Sequence, residues 1–261
     1  VPGTTLRAVL GLVPRSRPGS LPEVELADRG VSVDREHLAA YDRVCGFRLS
    51  DRLPATYPHV LAFPLSMRLL TDPGFPFPAI GLVHVANAIT LHRPLTAGLR
   101  FDLTVQAVNL RPHDRGRQFD VVASARVDGE TVWESVSTYL SRSGSPDGVR
   151  REWEPPTATA TWRVPARTGV DYAAVSGDRN PIHTSRLGAR LFGFPRTIAH
   201  GMWSQARCLA ALEGRLPDAY TVDVRFKQPI LLPATVHFAC RDGDFQLFGR
   251  RPYLAGHITP A

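Results

Sequence analysis

Two stretches of the first half alternate strictly between apolar and polar positions. Phe101, Leu103, Val105 and Ala107 fall on one side, and Arg100, Asp102, Thr104 and Gln106 on the other. Phe119, Val121, Ala123, Ala125 and Val127 repeat the pattern. A period of two is that of a half-buried strand, and Asp128-Gly129 supplies the hairpin turn that follows. Near the end of the chain Val222, Val224 and Phe226 alternate with Asp223, Arg225 and Lys227 in the same way. Met202 to Leu212 instead has the spacing of a helix, which Gly214 would stop. Each half therefore reads as α+β, an antiparallel sheet with one main helix.

The stretch from Ser141 to Ala160 has no hydrophobic period; it opens SRSGSPDG and closes PPTATA. Such composition is a connection, and the organisation it predicts is 1–140, a linker at 141–160, and 161–261. The two halves also share a faint order of landmarks. Tyr41 to Phe47 (YDRVCGF) lies against Tyr172 to Asp178 (YAAVSGD), Leu61 to Leu65 (LAFPL) against Ile198 to Met202 (IAHGM), and Arg93-Pro94-Leu95 against Gln228-Pro229-Ile230. Kept in sequence order, the matches point to one fold duplicated.

Composition narrows the picture. With 43% apolar and 21% charged residues in 261, a folded chain with a core is expected. No apolar run approaches the ~20 residues of a membrane span, and the apolar opening, Val1 to Pro14, lacks a cleavage signature. Three well-separated cysteines, Cys45, Cys208 and Cys240, argue against a disulfide framework or zinc site and for a reducing cytoplasm. The net charge of +7 favours an anionic partner. It comes from scattered arginines rather than from clusters interleaved with aromatics, so nucleic acid is not the expected partner.

The richest chemistry lies in YAAVSGDRNPIH, Tyr172 to His183. A short helix should end at Gly177 in a left-handed conformation, and Pro181 biases Asn180 away from the helical region. Asp178 to His183 is thus expected as a turn carrying a carboxylate, an amide and an imidazole. Asp and Asn beside Gly and Pro are also ordinary turn formers that cap their own backbone, so these residues alone leave both readings open.

The run SGDRNPIH, followed by PRTIAHGM, resembles the hydratase motif of the MaoC-like (R)-specific enoyl-thioester hydratases and 3-hydroxyacyl-thioester dehydratases. LPATYPHVLAFPLSMRLL and GLVHVANAITLHRPL look like that family's degenerate N-terminal unit. The resemblance covers roughly Val31 to the C-terminus and is strongest to actinobacterial members. It implies a double hotdog fold, two antiparallel sheets each wrapped around a helix and packed as a pseudo-dimer. It implies Asp178 and His183 as the catalytic pair, Asn180 holding water or orienting the pair, and the Gly201 N–H receiving the thioester oxygen. Its substrates would be coenzyme A or acyl carrier protein thioesters, and no cofactor or metal is required.

Such chemistry needs these groups. Dehydration removes an α-proton, protonates a leaving hydroxyl and gathers negative charge on the thioester oxygen. A carboxylate and an imidazole serve the first two; an N–H at a helix start serves the third. In the first half Phe47, Arg52 and Pro64 stand where Asp178, His183 and Gly201 do, so that half lacks all three functions and is expected to shape the acyl tunnel and complete the sheet. Tyr172, Phe192, Phe194 and Trp203 are candidates to line the acyl channel or to be plain core. Competing readings are a hotdog thioesterase and a non-catalytic acyl-binding subunit. Ser204 in GMWSQ lacks the second glycine of a nucleophile elbow, Cys208 reads as core, and His200 as packing or hydrogen-bonding beside the site. A homodimer is a possible higher assembly.

Overall fold

The computed structural model describes residues 17–143 and 153–261. Val1 to Pro14 and most of the linker's first part lie outside them. The described chain holds ten strands: β1 (Glu25–Ser32), β2 (Leu82–Leu91), β3 (Arg100–His113), β4 (Gly116–Val127), β5 (Glu130–Arg142), β6 (Ala160–Val164), β7 (Tyr220–Phe226), β8 (Ala234–Arg241), β9 (Asp244–Phe248) and β10 (Pro252–Pro260). Its helices are α1 (Arg35–Cys45), α2 (Tyr57–Leu70), α3 (Thr168–Ser176), α4 (Pro181–Thr184), α5 (Arg186–Leu191) and α6 (Gly201–Ala211).

All strands form one antiparallel sheet in the order β1-β3-β4-β5-β2-β7-β10-β9-β8-β6. Numbered from its own start, each half has the strand order 1-3-4-5-2, and the halves meet edge to edge where β2 pairs with β7. This is the double hotdog, its two sheets fused into one. At the junction Ala88 pairs with Asp223, and their separation along the chain equals that between Pro94 and Pro229. The landmark order seen in the sequence is thus a two-fold relation in space. Tyr41 and Tyr172, matched in that order, face each other with ring centroids 6.2 Å apart.

The alternating patterns bury as their period requires. Phe101, Leu103, Val105, Phe119, Val121 and Ala125 are all at most 4% exposed, and Asp128 and Gly129 both take positive φ in the hairpin turn. Helix α1 buries Leu38, Tyr41, Asp42 and Cys45, a stripe at i, i+3, i+4 and i+7. Asp34 caps its start, accepting from the Glu36 and His37 N–H groups, and Gly46 ends it at φ 84°. Each half carries shorter helices ahead of its main one, α1 before α2 and α3 to α5 before α6, and α3 is the short helix expected to end at Gly177. The sequence expectation for α6 holds to within a residue at each end.

Candidate active site

Helix α3 ends at Gly177, φ 77°, whose N–H donates to the Ala173 carbonyl, the same cap that Gly46 gives α1. The chain then turns through Asp178 and Arg179. Asn180 is extended, as Pro181 dictates. The turn does not run on to His183, however. Pro181 sits at the first helical position, where its missing N–H costs nothing, and the Asn180 side chain accepts from the Ile182 N–H at 3.3 Å. This starts the one-turn helix α4, which carries His183. Asn180 is therefore a helix cap, with its Oδ1 engaged by the backbone and its own N–H donated to Asp178 Oδ1 at 3.2 Å.

His183 is buried, and its Nδ1 lies 2.8 Å from the Ile198 carbonyl. A carbonyl only accepts, so Nδ1 carries the proton and Nε2 keeps its lone pair. His200, also buried, donates from Nε2 to the Asp178 carbonyl at 3.0 Å, and its ring stacks on His183 with centroids 3.6 Å apart. Tyr172 packs beneath it, 4.9 Å from the His200 ring. His200 thus ties the Asp178 turn to the start of α6 and backs the His183 ring.

Burial lowers the His183 pKa below the ordinary imidazole value, with Asp178 and the Ile198 hydrogen bond pulling the other way. Burial and the neighbouring His183 push His200 down to about 3. Burial would raise the Asp178 carboxyl, but His200, His183 and the Asn180 N–H outweigh it and hold it below the usual carboxylate range. Near neutrality the site is an ionised carboxylate beside two neutral imidazoles. The carboxylate and both histidines bring ligand atoms within 4.8 Å of one another. Two of the four ring nitrogens are already given to backbone carbonyls, His183 Nδ1 to Ile198 and His200 Nε2 to Asp178.

Gly201 opens α6, so no carbonyl of its own helix can take its N–H. A Cβ there would lie 3.1 Å from the Phe226 ring, so any side chain at this position would press on that ring. Trp203 is buried, and its indole N–H donates across the halves to the Val44 carbonyl. Phe192, by contrast, is 37% exposed at the end of α5, and Phe194 is half-buried.

Sequence reasoning missed the groups that the first half brings up. His59 of α2, His84 of β2 and Tyr139 of β5 all feel the charge of Asp178. Burial holds His59 down to about 4 and His84 to about 3. The His84 ring lies 4.7 Å from Tyr139 and 4.9 Å from Phe226, the residue that touches Gly201, and its Nε2 is buried without a partner. No local pattern reports these residues, since they belong to the other half of the chain and come near Asp178 only in the folded protein. Phe47, matched to Asp178, stacks on Tyr41. Arg52, matched to His183, is exposed and pairs with Asp218 at 2.8 Å. Pro64 lies inside α2 and not at a helix start.

The family description MaoC like domain matches residues 149–251. The chain is 41% identical over 247 residues to 3-hydroxyacyl-thioester dehydratase X of Mycobacterium tuberculosis, covering 92% of this chain and 88% of that protein. A crystal structure of HtdX from M. tuberculosis superposes with a TM-score of 0.82 at 38% identity, over 90% of this chain and all of that one. A MaoC-like dehydratase from Phytophthora capsici, 16% identical, shares the fold at a TM-score of 0.73, over 92% of this chain and 96% of its own. On the strength of the near full-length identity to the mycobacterial dehydratase, and of a sheet that repeats one topology twice, the chain belongs to the MaoC-like dehydratase family and is a hydro-lyase.

Proposed function

We propose that the chain interconverts trans-2-enoyl and (R)-3-hydroxyacyl thioesters in fatty-acid metabolism, with Asp178 and His183 as the acid–base pair and the Gly201 N–H as the oxyanion donor. The observation that carries this reading is the tautomer of His183. Its Nδ1–H is spent on Ile198, so Nε2 and the Asp178 carboxylate are two acceptors at one place. Two acceptors suit the two protons of a single water.

In hydration, that water adds its oxygen to C3 of the enoyl chain. The pair takes up one of its protons and returns a proton to C2, so that H and OH have crossed the double bond. Negative charge gathers on the thioester oxygen during the addition and is met by the Gly201 N–H at the positive end of α6. Dehydration runs the same steps backward: the pair takes the proton from C2 and delivers it to the hydroxyl departing from C3, which leaves as water. Asn180 positions both partners, through its N–H on Asp178 and as the cap of the helix that carries His183. Residues 1–140 form a catalytically silent hotdog that completes the sheet and brings His59, His84 and Tyr139 toward the acyl group, while 161–261 carry the chemistry. The three free cysteines fit a reducing compartment, and the cytoplasm is the one proposed.

The test is crotonyl-CoA hydration, followed by loss of the enoyl absorbance, for the wild type, Asp178→Asn and His183→Ala. Activity in the wild type and losses of roughly 10²–10⁴ in each folded variant are expected. Retained hydration in both variants overturns the assignment.

A further inference from the structure

Helix α5 is built inside out. Its inward positions are Gly188, packed on Pro181, and Ala189, fully buried. Its outward positions hold Leu187 and Leu191, 70% and 76% exposed, and Phe192 follows at the surface. Leu187 and Leu191 are four residues apart and so adjacent on one helical face, and Arg186 and Arg190 make a parallel row beside them. Of the six large hydrophobic side chains exposed among the described residues, three fall within this one short segment. Clustered in that way, exposed apolar groups mark an interaction surface rather than ordinary surface scatter.

The charged residues of this segment all have one sign. From Arg179 through Leu212 the sequence contains no aspartate or glutamate. Arg179, Arg186 and Arg190 are exposed, and among the described residues none of them enters an ion pair. Arg179 directly follows Asp178, so the patch adjoins the reacting groups along the chain.

An apolar centre with a basic rim calls for a partner with an apolar centre and an acidic rim. The phosphates of free coenzyme A would use the arginines but leave the two leucines and the phenylalanine without purpose. A second copy docked through the same patch would set arginines against arginines. Resting on the thioester reading above, the geometry points to α5 with Arg179, Arg186, Arg190, Leu187, Leu191 and Phe192 as the docking surface for an acyl carrier protein, an acidic helical domain that delivers its acyl group on a phosphopantetheine arm.

Two double variants test this, Arg186→Glu/Arg190→Glu and Leu187→Ser/Leu191→Ser, each altering only exposed side chains. The substrates are the crotonyl group on coenzyme A and on the holo acyl carrier protein from the same source as the chain. Binding of that carrier is followed separately by fluorescence anisotropy. For the carrier-borne substrate kcat/KM should fall at least tenfold in both variants, mainly through KM, while coenzyme A turnover stays within about twofold. Carrier binding should weaken in parallel and, in the wild type, with added salt. Equal losses on both substrates, unchanged carrier turnover, or no carrier binding by the wild type each overturn the docking surface. Binding of phosphatidylglycerol vesicles lost in the variants while carrier binding is kept, or a wild-type dimer that the variants dissociate, does so too. Crotonyl-CoA hydration reports on the hydratase reading independently, and carrier binding reports on docking even if that reaction is absent.

Discussion

Gly201 is the residue where the smallest change should tell most. Its absent Cβ leaves 3.1 Å to the Phe226 ring, so an added methyl must push the ring or move the start of α6. Gly201→Ala should fold and yet lose roughly tenfold or more in kcat for crotonyl-CoA, because an oxyanion donor works only when aimed within tenths of an ångström. Adding Phe226→Leu to it should restore part of the rate by making room. No recovery in that double variant, with the fold intact, would show that the loss has another cause. His84 is the second informative residue. Its buried Nε2 has no partner, a circumstance usually explained by water or by a ligand. His84→Phe should raise KM for enoyl thioesters severalfold more than it lowers kcat, which steady-state kinetics on a folded variant would check. Asp178 and His183 stood out in the sequence because the run SGDRNPIH, which is local, carries the family resemblance. His84 did not, because nothing near it in the chain says what it faces.

At the level of elements, the one-turn helix α4 determines where His183 points, and Asn180 starts it. Replacing an N-cap by alanine costs typically ~1 kcal/mol, so Asn180→Ala should lower the melting temperature by a few degrees. It should also lower activity more than that stability loss explains, because His183 rides on the uncapped turn. A melting shift with unchanged kcat/KM would reduce Asn180 to a structural cap. The same element shows where sequence reasoning stopped short. Proline breaks the preceding residue's helicity, but at the first helical position it also begins the next helix. At the junction, β7 pairs with β2 and Trp203 donates to Val44. A chain beginning at Ser143 would expose the β7 edge and leave that indole unpaired. It should aggregate or stay unfolded by circular dichroism. Folding with full activity on long acyl chains would dismiss the structural role given to the first half.

For the molecule as a whole, buried titratable groups set the response to pH. His59, His84 and His200 are held to about 4, about 3 and about 3, below the ordinary value near 6.5. The unfolded chain therefore binds more protons between about pH 6.5 and those values, and stability should fall as pH drops through that window, by up to roughly 1.4 kcal/mol per pH unit for each histidine. Asp42 has the opposite sign. Both its oxygens are buried without partners, and burial, aided by Glu213, raises its pKa to about 7. Its contribution is lost as pH rises through the range from about 4 to 7, so Asp42→Asn should stabilise the protein more at pH 8 than at pH 5. Thermal melts of the wild type and this variant across pH 4 to 8 would check both signs. What the sequence determined by itself was whatever short-range physics encodes: the strand period that buries Phe101 and Val105, the cap at Gly177, the turn that follows it at Asp178 and the repeated order of landmarks. The tertiary structure alone decided that the two sheets fuse through β2 and β7. It decided that His200 backs His183, that the first half brings His84 and Tyr139 within reach of the Asp178 charge, and that α5 turns its leucines outward. Those outcomes depend on which surfaces meet in space, at the β2–β7 junction across more than a hundred residues of chain, and no local period or propensity carries that information.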